Sequence, residues 1–162
     1  MSDMYHYQAS GLPYVFLKNG YERVATPYGQ GVTIHDLPGL HKAIGEMLVC
    51  SMHPLLGCEF RFLRAELGLS QAELAELLGR DVQSVARWEK GRNKRVDPAA
   101  ERVLRLLYRE TTSRERKRKS LIEYLRELDA TRRAPTQIVA RARNAVWHLK
   151  AEHVAEGRRG TG

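Results

Sequence analysis

The sequence predicts a mainly α fold. A bundle of short helices sharing one core occupies residues 55–110, behind a small β-hairpin and helix unit at 1–54 and ahead of a basic helical tail at 111–162 with a disordered end. Three observations carry this. From Glu59 onward apolar residues recur at helical spacing: Phe60, Leu63 and Leu67, then Leu74, Leu77 and Leu78, then Val85 and Trp88, then Val103, Leu104, Leu106 and Leu107. Asn19-Gly20 stands between two β-prone runs. The basic excess lies at the back, since residues 109–162 hold 14 Lys and Arg against 7 Asp and Glu, most of the formal charge of +8.

The 162 residues are 43% hydrophobic and 28% charged, the balance of a chain that folds around one core. Nothing approaches the roughly 18 consecutive apolar residues of a membrane span, and the polar start Met1-Ser2-Asp3-Met4 lacks a leader's apolar stretch. A cytoplasmic protein is expected, without a membrane partner. Cys50 and Cys58 are too few for a disulfide framework and are expected as buried free thiols. A pI near 9.8 suggests a polyanionic partner.

In the first unit, Leu12–Leu17 and Tyr21–Val24 are expected to pair through Asn19-Gly20, a favoured two-residue hairpin turn because both residues tolerate positive φ. After the turn-rich stretch 26–31, Val32-Thr33-Ile34 is a candidate third strand. Asp36 caps a helix beginning near Leu37 and Pro38, with Leu40, Ile44, Met47 and Leu48 on the face that covers the hairpin. Behind the bundle, the run Arg114–Lys119 leads to a helix carrying Leu121, Ile122, Leu125 and Leu128. A last helix is expected from Gln137 to His153, and disorder from Gly157.

The segment Ser70–Glu89 has the parts of a helix-turn-helix in order. Ser70 and Glu73 make a capping box, Ala75 is small where helices cross, Gly79 permits the turn, and Asp81 caps the second helix. Leu74, Leu78, Val85 and Trp88 supply the shared core. A second helix from Val82 to Lys90 can enter a major groove of double-stranded DNA. Gln83 and Arg87, four apart on one face, suit adenine and guanine edges; Val82 suits a thymine methyl, and Ser84 a base or phosphate. Gln71, Arg80, Lys90, Arg92, Asn93, Lys94 and Arg95 suit phosphates, which position a protein without reading sequence. Between Gln83 and Arg95 the single acid is Glu89, which a neighbouring Arg can pair.

Leu69-Ser70-Gln71 through Trp88-Glu89-Lys90-Gly91 resembles the Xre/Cro repressor family, over about a third of the chain. That resemblance implies a five-helix bundle used as a homodimer on palindromic operators. Arg80 departs from the apolar residue usual in the family's turn. The front half, with Ser10-Gly11-Leu12, Asn19-Gly20-Tyr21, Thr26-Pro27-Tyr28-Gly29 and His35-Asp36-Leu37, resembles the YgiT/MqsA-type antitoxins. The resemblance implies a toxin partner gripped by the N-terminal unit, and it places the family's DNA-contacting pair on Gln83 and Arg87. The paired CxxC zinc ligands of those proteins are absent, with Ser10 at a place where relatives have Cys.

Cys50, His53 and Cys58, with His35 or His41, make a four-ligand zinc set on paper, but C-x2-H-x4-C is not a knuckle spacing and no second close pair exists. No nucleophile–base pair, paired carboxylates or HExxH helix appears, and the glycines of Tyr28–Gly31 lack the helix start and Lys of a phosphate loop. No enzyme, cofactor or metal is expected. The sequence therefore predicts a sequence-specific transcriptional regulator, a dimeric repressor or autoregulator on a pseudo-palindromic operator, acting by occlusion. One alternative is an antitoxin using Tyr14, Phe16, Tyr21 and Tyr28; another is a nonspecific nucleic-acid-binding protein driven by the tail.

Overall fold

The computed structural model describes residues 4–112 and 137–152. Within them lie six strands, β1 (Tyr5–His6), β2 (Val15–Leu17), β3 (Tyr21–Thr26), β4 (Gly29–Ile34), β5 (Gln137–Arg143) and β6 (Val146–Glu152). The five helices are α1 (Leu37–Cys50), α2 (Gly57–Glu66), α3 (Gln71–Leu78), α4 (Val82–Lys90) and α5 (Pro98–Thr112).

The strand pairing departs from the expected hairpin. Asn19-Gly20 does not join two paired strands. Instead β2 runs antiparallel to β1 and parallel to β5, β5 turns back into β6, and the order is β1-β2-β5-β6. Asn19 extends the β2–β5 junction with its side chain: Nδ2 donates to the Ala142 carbonyl at 3.2 Å, and Oδ1 accepts from the Ala142 amide at 2.8 Å. Gly20 has φ +76°, and a Cβ there would sit 2.5 Å from the Trp147 ring, so close approach demands its lack of a side chain. The hairpin that does form is β3–β4, turning at Pro27-Tyr28, with Val32–Ile34 in its second strand.

The segment Gln137–His153 is expected as a helix, and the structure corrects this for residues 137–152, which are β5 and β6. Alternation puts Ile138, Ala140 and Trp147 on the inner face, buried beside Val15 and Leu17, and Val139 is buried on the other face. Trp147 Nε1 donates to the Asp36 carbonyl at 2.9 Å, tying β6 to the start of α1. Thus α1 covers this four-stranded sheet rather than the β3–β4 hairpin. The basic run 114–119, the helix expected around Leu121–Leu128 and the end from Gly157 lie outside the described residues.

Helix α1 begins as expected, with Asp36 accepting from the Gly39 amide and Leu40, Ile44 and Leu48 buried. Its far end is held by Arg105 of α5, whose fully buried guanidinium donates to the carbonyls of Leu48, Val49, Ser51 and His53 and pairs with Glu101. Carbonyls that a helix end leaves without partners thereby find one. In the bundle Phe60, Leu63, Leu74, Val85 and Leu104 are fully buried, and Trp88 stands edge-on to Phe60 at 5.9 Å. Leu77 and Val103 are corrections to the expected core, both being exposed.

Candidate DNA interface

Local chemistry sets the two helices of the motif. The Ser70 hydroxyl accepts from the Glu73 amide while the Glu73 carboxylate accepts from the Ser70 amide, both halves of the capping box. Helix α3 stops at Gly79, whose φ of +61° is left-handed backbone that glycine adopts without penalty. Two residues later Asp81 caps α4, accepting from the Ser84 amide at 2.8 Å and the Ser84 hydroxyl at 2.7 Å. Those bonds hold the Asp81 carboxyl below its usual range. It therefore stays ionised at the positive end of the helix dipole.

The buried side of the motif is tied by one carboxylate. Glu89, 5% exposed, receives Arg64 Nε and Nη2 at 2.5 and 2.9 Å and Gln71 Nε2 at 2.8 Å. Arg64 also donates to the Leu69 carbonyl at 2.6 Å, so a single guanidinium links α2, the α2–α3 loop and α4. The bond to Glu89 raises the Arg64 pKa above its ordinary value. Here the sequence's suggestion of an Arg partner for Glu89 acquires a residue. Gln71, expected at phosphates, has its amide directed to Glu89 instead of outward.

The opposite side is open. Val82, Gln83 and Arg87 are exposed and Ser84 half-buried; Arg87 Nη2 lies 3.2 Å from Ser84 Oγ. The loop after α4 carries Arg92, Asn93, Lys94 and Arg95, all exposed, and its backbone is pinned. The amides of Gly57 and Cys58, at the start of α2, donate to the carbonyls of Lys94 and Arg92 at 3.0 Å each, and Val96 donates to Leu55. Gly57 has no room for a side chain, since a Cβ would meet the Trp88 carbonyl at 2.1 Å. The loop's basic side chains thus project from a fixed backbone. Arg92 Nη2 reaches the Gly11 carbonyl at 2.9 Å, and Arg80 lies 4.0 Å from Asp97. Arg80 stays exposed, so the turn accepts it without burying a charge.

A group missed by sequence reasoning lies behind this interface. Glu59 is fully buried, facing the Tyr14 hydroxyl, His53 Nε2 at 3.0 Å and the Leu56 amide at 2.8 Å. Burial pushes its pKa up to about 7. The signal available was Leu56-Gly57-Cys58-Glu59, with an acid at the third position of a helix. The zinc set does not assemble: His53 is turned to Glu59, Cys50 is exposed rather than buried, and the buried Cys58 thiol is pushed up to about 11 by desolvation. His41 joins the Tyr7 hydroxyl to Glu66. Among the described residues no three His, Cys, Asp or Glu side chains gather as a metal site.

Of the aromatics considered for a protein partner, Tyr14 is buried, Phe16 and Tyr21 are half-buried, and Tyr28 stands fully exposed at the β3–β4 turn. Among the described residues no helix is long and apolar enough to cross a membrane. No curated protein and no solved structure matches the chain. Residues 55–117 match the family model of a helix-turn-helix domain, so α2 to α5 form a helix-turn-helix unit, a DNA-binding type of domain.

Proposed function

We propose that the chain is a transcriptional regulator that reads a specific duplex sequence with α4, as a homodimer on a pseudo-palindromic operator, and represses by occluding the polymerase. The observation that carries this reading is the fate of charge along Gln83–Arg95. Its one acid is buried in an ion pair with Arg64, while Gln83, Arg87, Lys90, Arg92, Lys94 and Arg95 are exposed. Gln83 and Arg87 are the base readers, with Val82 and Ser84 beside them. Arg80, Lys90, Arg92, Asn93, Lys94 and Arg95 bind phosphates, and Gln71 contributes by fixing Glu89.

Selection of bound duplexes from a random library at near-physiological salt is the test. A two-fold motif with half-sites about one helical turn apart is expected. Arg87→Ala should weaken the selected site by roughly 1–3 kcal/mol and relax preference at one position. Binding without enrichment of any motif overturns the reading. A protein-partner role has one observation in its favour, the projecting β3–β4 hairpin with Tyr28 at its tip. Capture of a partner that Tyr28→Ala abolishes would support the antitoxin alternative.

A further inference from the structure

The four-stranded sheet has an outer face that the helix-turn-helix does not use. Register places Phe16, Val139, Arg141, Arg143, His148 and Lys150 on it, opposite the inner residues Val15, Leu17, Ile138, Ala140 and Trp147; Val139 is buried and Phe16 half-buried, while Arg141, Arg143, His148 and Lys150 are exposed. Lys18, Arg141, His148 and Lys150 line one shallow depression, and Asn19, Arg141, Arg143 and His148 line the next. Among the described residues the one acid here is Glu152, which lines the first depression 3.7 Å from Lys150. Among the described residues Arg141 and Arg143 have no ion-pair partner, and Arg141 lies directly opposite His148 in the strand register.

Across the strands Arg141 faces His148, Arg143 faces Val146 and Lys150 faces Val139, so the two guanidinium groups of this face have no acid opposite them. Such a face suits a polyanion. We propose that the outer face of the β1-β2-β5-β6 sheet is a second phosphate-contact surface, which grips the backbone of duplex DNA flanking the sequence read by α4. The proposal rests on the DNA-reading function above.

Two observations favour duplex over single-stranded nucleic acid. The exposed ring surface a single strand needs for base stacking is limited, because two of the rings on this face, His6 and Phe16, stack on each other at 4.6 Å, which leaves the imidazole of His148. The face also connects to the helix-turn-helix. His6 Nδ1 is 3.3 Å from Gln8 Nε2, and Gln8 lines a groove together with Arg61, Lys90 and Arg92 beside α4. A polar contact through His6 and Gln8 therefore joins the sheet to the groove that Lys90 and Arg92 line.

The experiment compares the full chain with the triple variant Arg141→Gln, Arg143→Gln, Lys150→Gln, three exposed positions whose neutralisation leaves the core untouched. Binding is measured by fluorescence anisotropy between about 50 and 300 mM salt. The probes are the selected duplex, the same duplex trimmed to its core motif, a single-stranded RNA of equal length, and vesicles with anionic lipid. Losing three phosphate contacts should flatten the log–log salt slope on the long duplex by about two to three, with the preferred sequence unchanged. On the trimmed duplex, parent and variant should bind alike.

An unchanged slope on the long duplex overturns the proposal, as does a loss confined to RNA or vesicles. Arg87→Ala separates this from failure of the α4 reading: it should relax sequence preference at one position yet keep the parent's charge dependence on long duplexes. Should the parent show no sequence preference at all, the α4 reading fails, and the slope difference still decides the sheet.

Discussion

Glu89 shows how a single acid inside a basic segment serves the interface. With 4% of its side chain exposed it relies on Arg64 and Gln71, and removing one member of such a pair leaves a buried charge without compensation. Arg64→Ala should therefore cost roughly 3–5 kcal/mol in chemical denaturation. Arg64→Lys, which keeps the charge but loses the fork, should fall between. A cost under about 1 kcal/mol would mean that Gln71 and water suffice. Glu59 gives the pH dependence. Its carboxyl shifts from 4.5 to about 7 on folding, so between those values the folded chain holds a proton that the unfolded chain releases. Unfolding free energy should fall as pH rises across that window, by up to about 3 kcal/mol, and level above it. Glu59→Gln should flatten that decline; an unchanged profile would place the titration elsewhere.

At the level of elements, what the sequence made legible was what is chemically local. Asp36, Ser70, Asp81 and Gly79 mark helix ends through bonds to residues no more than a few positions away, and each does so in the structure. The positions of Gln83 and Arg87 on an open face follow from those ends. Strands β5 and β6 were illegible for two reasons. Ala140, Arg141, Ala142 and Arg143 are good helix formers that tertiary pairing overrides. The turn is Asn144-Ala145, both at positive φ, where a glycine would have announced it. Meanwhile Asn19-Gly20 carried the hairpin signature without making that hairpin, since its partners are Ala142 and Trp147, more than a hundred positions on. Ala145 at φ 56° holds a conformation that L side chains disfavour. Ala145→Gly should raise stability by about 0.5–1 kcal/mol, and Ala145→Val should lower it, both read from denaturation midpoints. Equal effects of opposite residues would show that the turn has another geometry in solution.

For the whole molecule, the sheet joins strands from both ends of the described chain, while the helix-turn-helix is built from one continuous stretch. The two meet at α1, which packs on β6 on one side and on α2 and α5 on the other. Contact with α5 is close: a Cβ at Gly45 would lie 2.0 Å from the Tyr108 hydroxyl oxygen. Whether the parts open together is decided by how much of their stability is shared through α1. Trp147 is the residue to probe, because it is buried against Gly20, bonds the Asp36 carbonyl, and touches none of α3, α4 or the basic loop in those contacts. Trp147→Ala should remove roughly 3–5 kcal/mol from the sheet. If opening is local, amide exchange at Leu17 and Ala140 accelerates a hundredfold or more, about 1.4 kcal/mol per tenfold step, while Val85 and Glu89 in α4 keep their protection. Equal acceleration at α4 would instead make sheet and helix-turn-helix one cooperative unit, with the recognition helix dependent on strands at the far end of the chain.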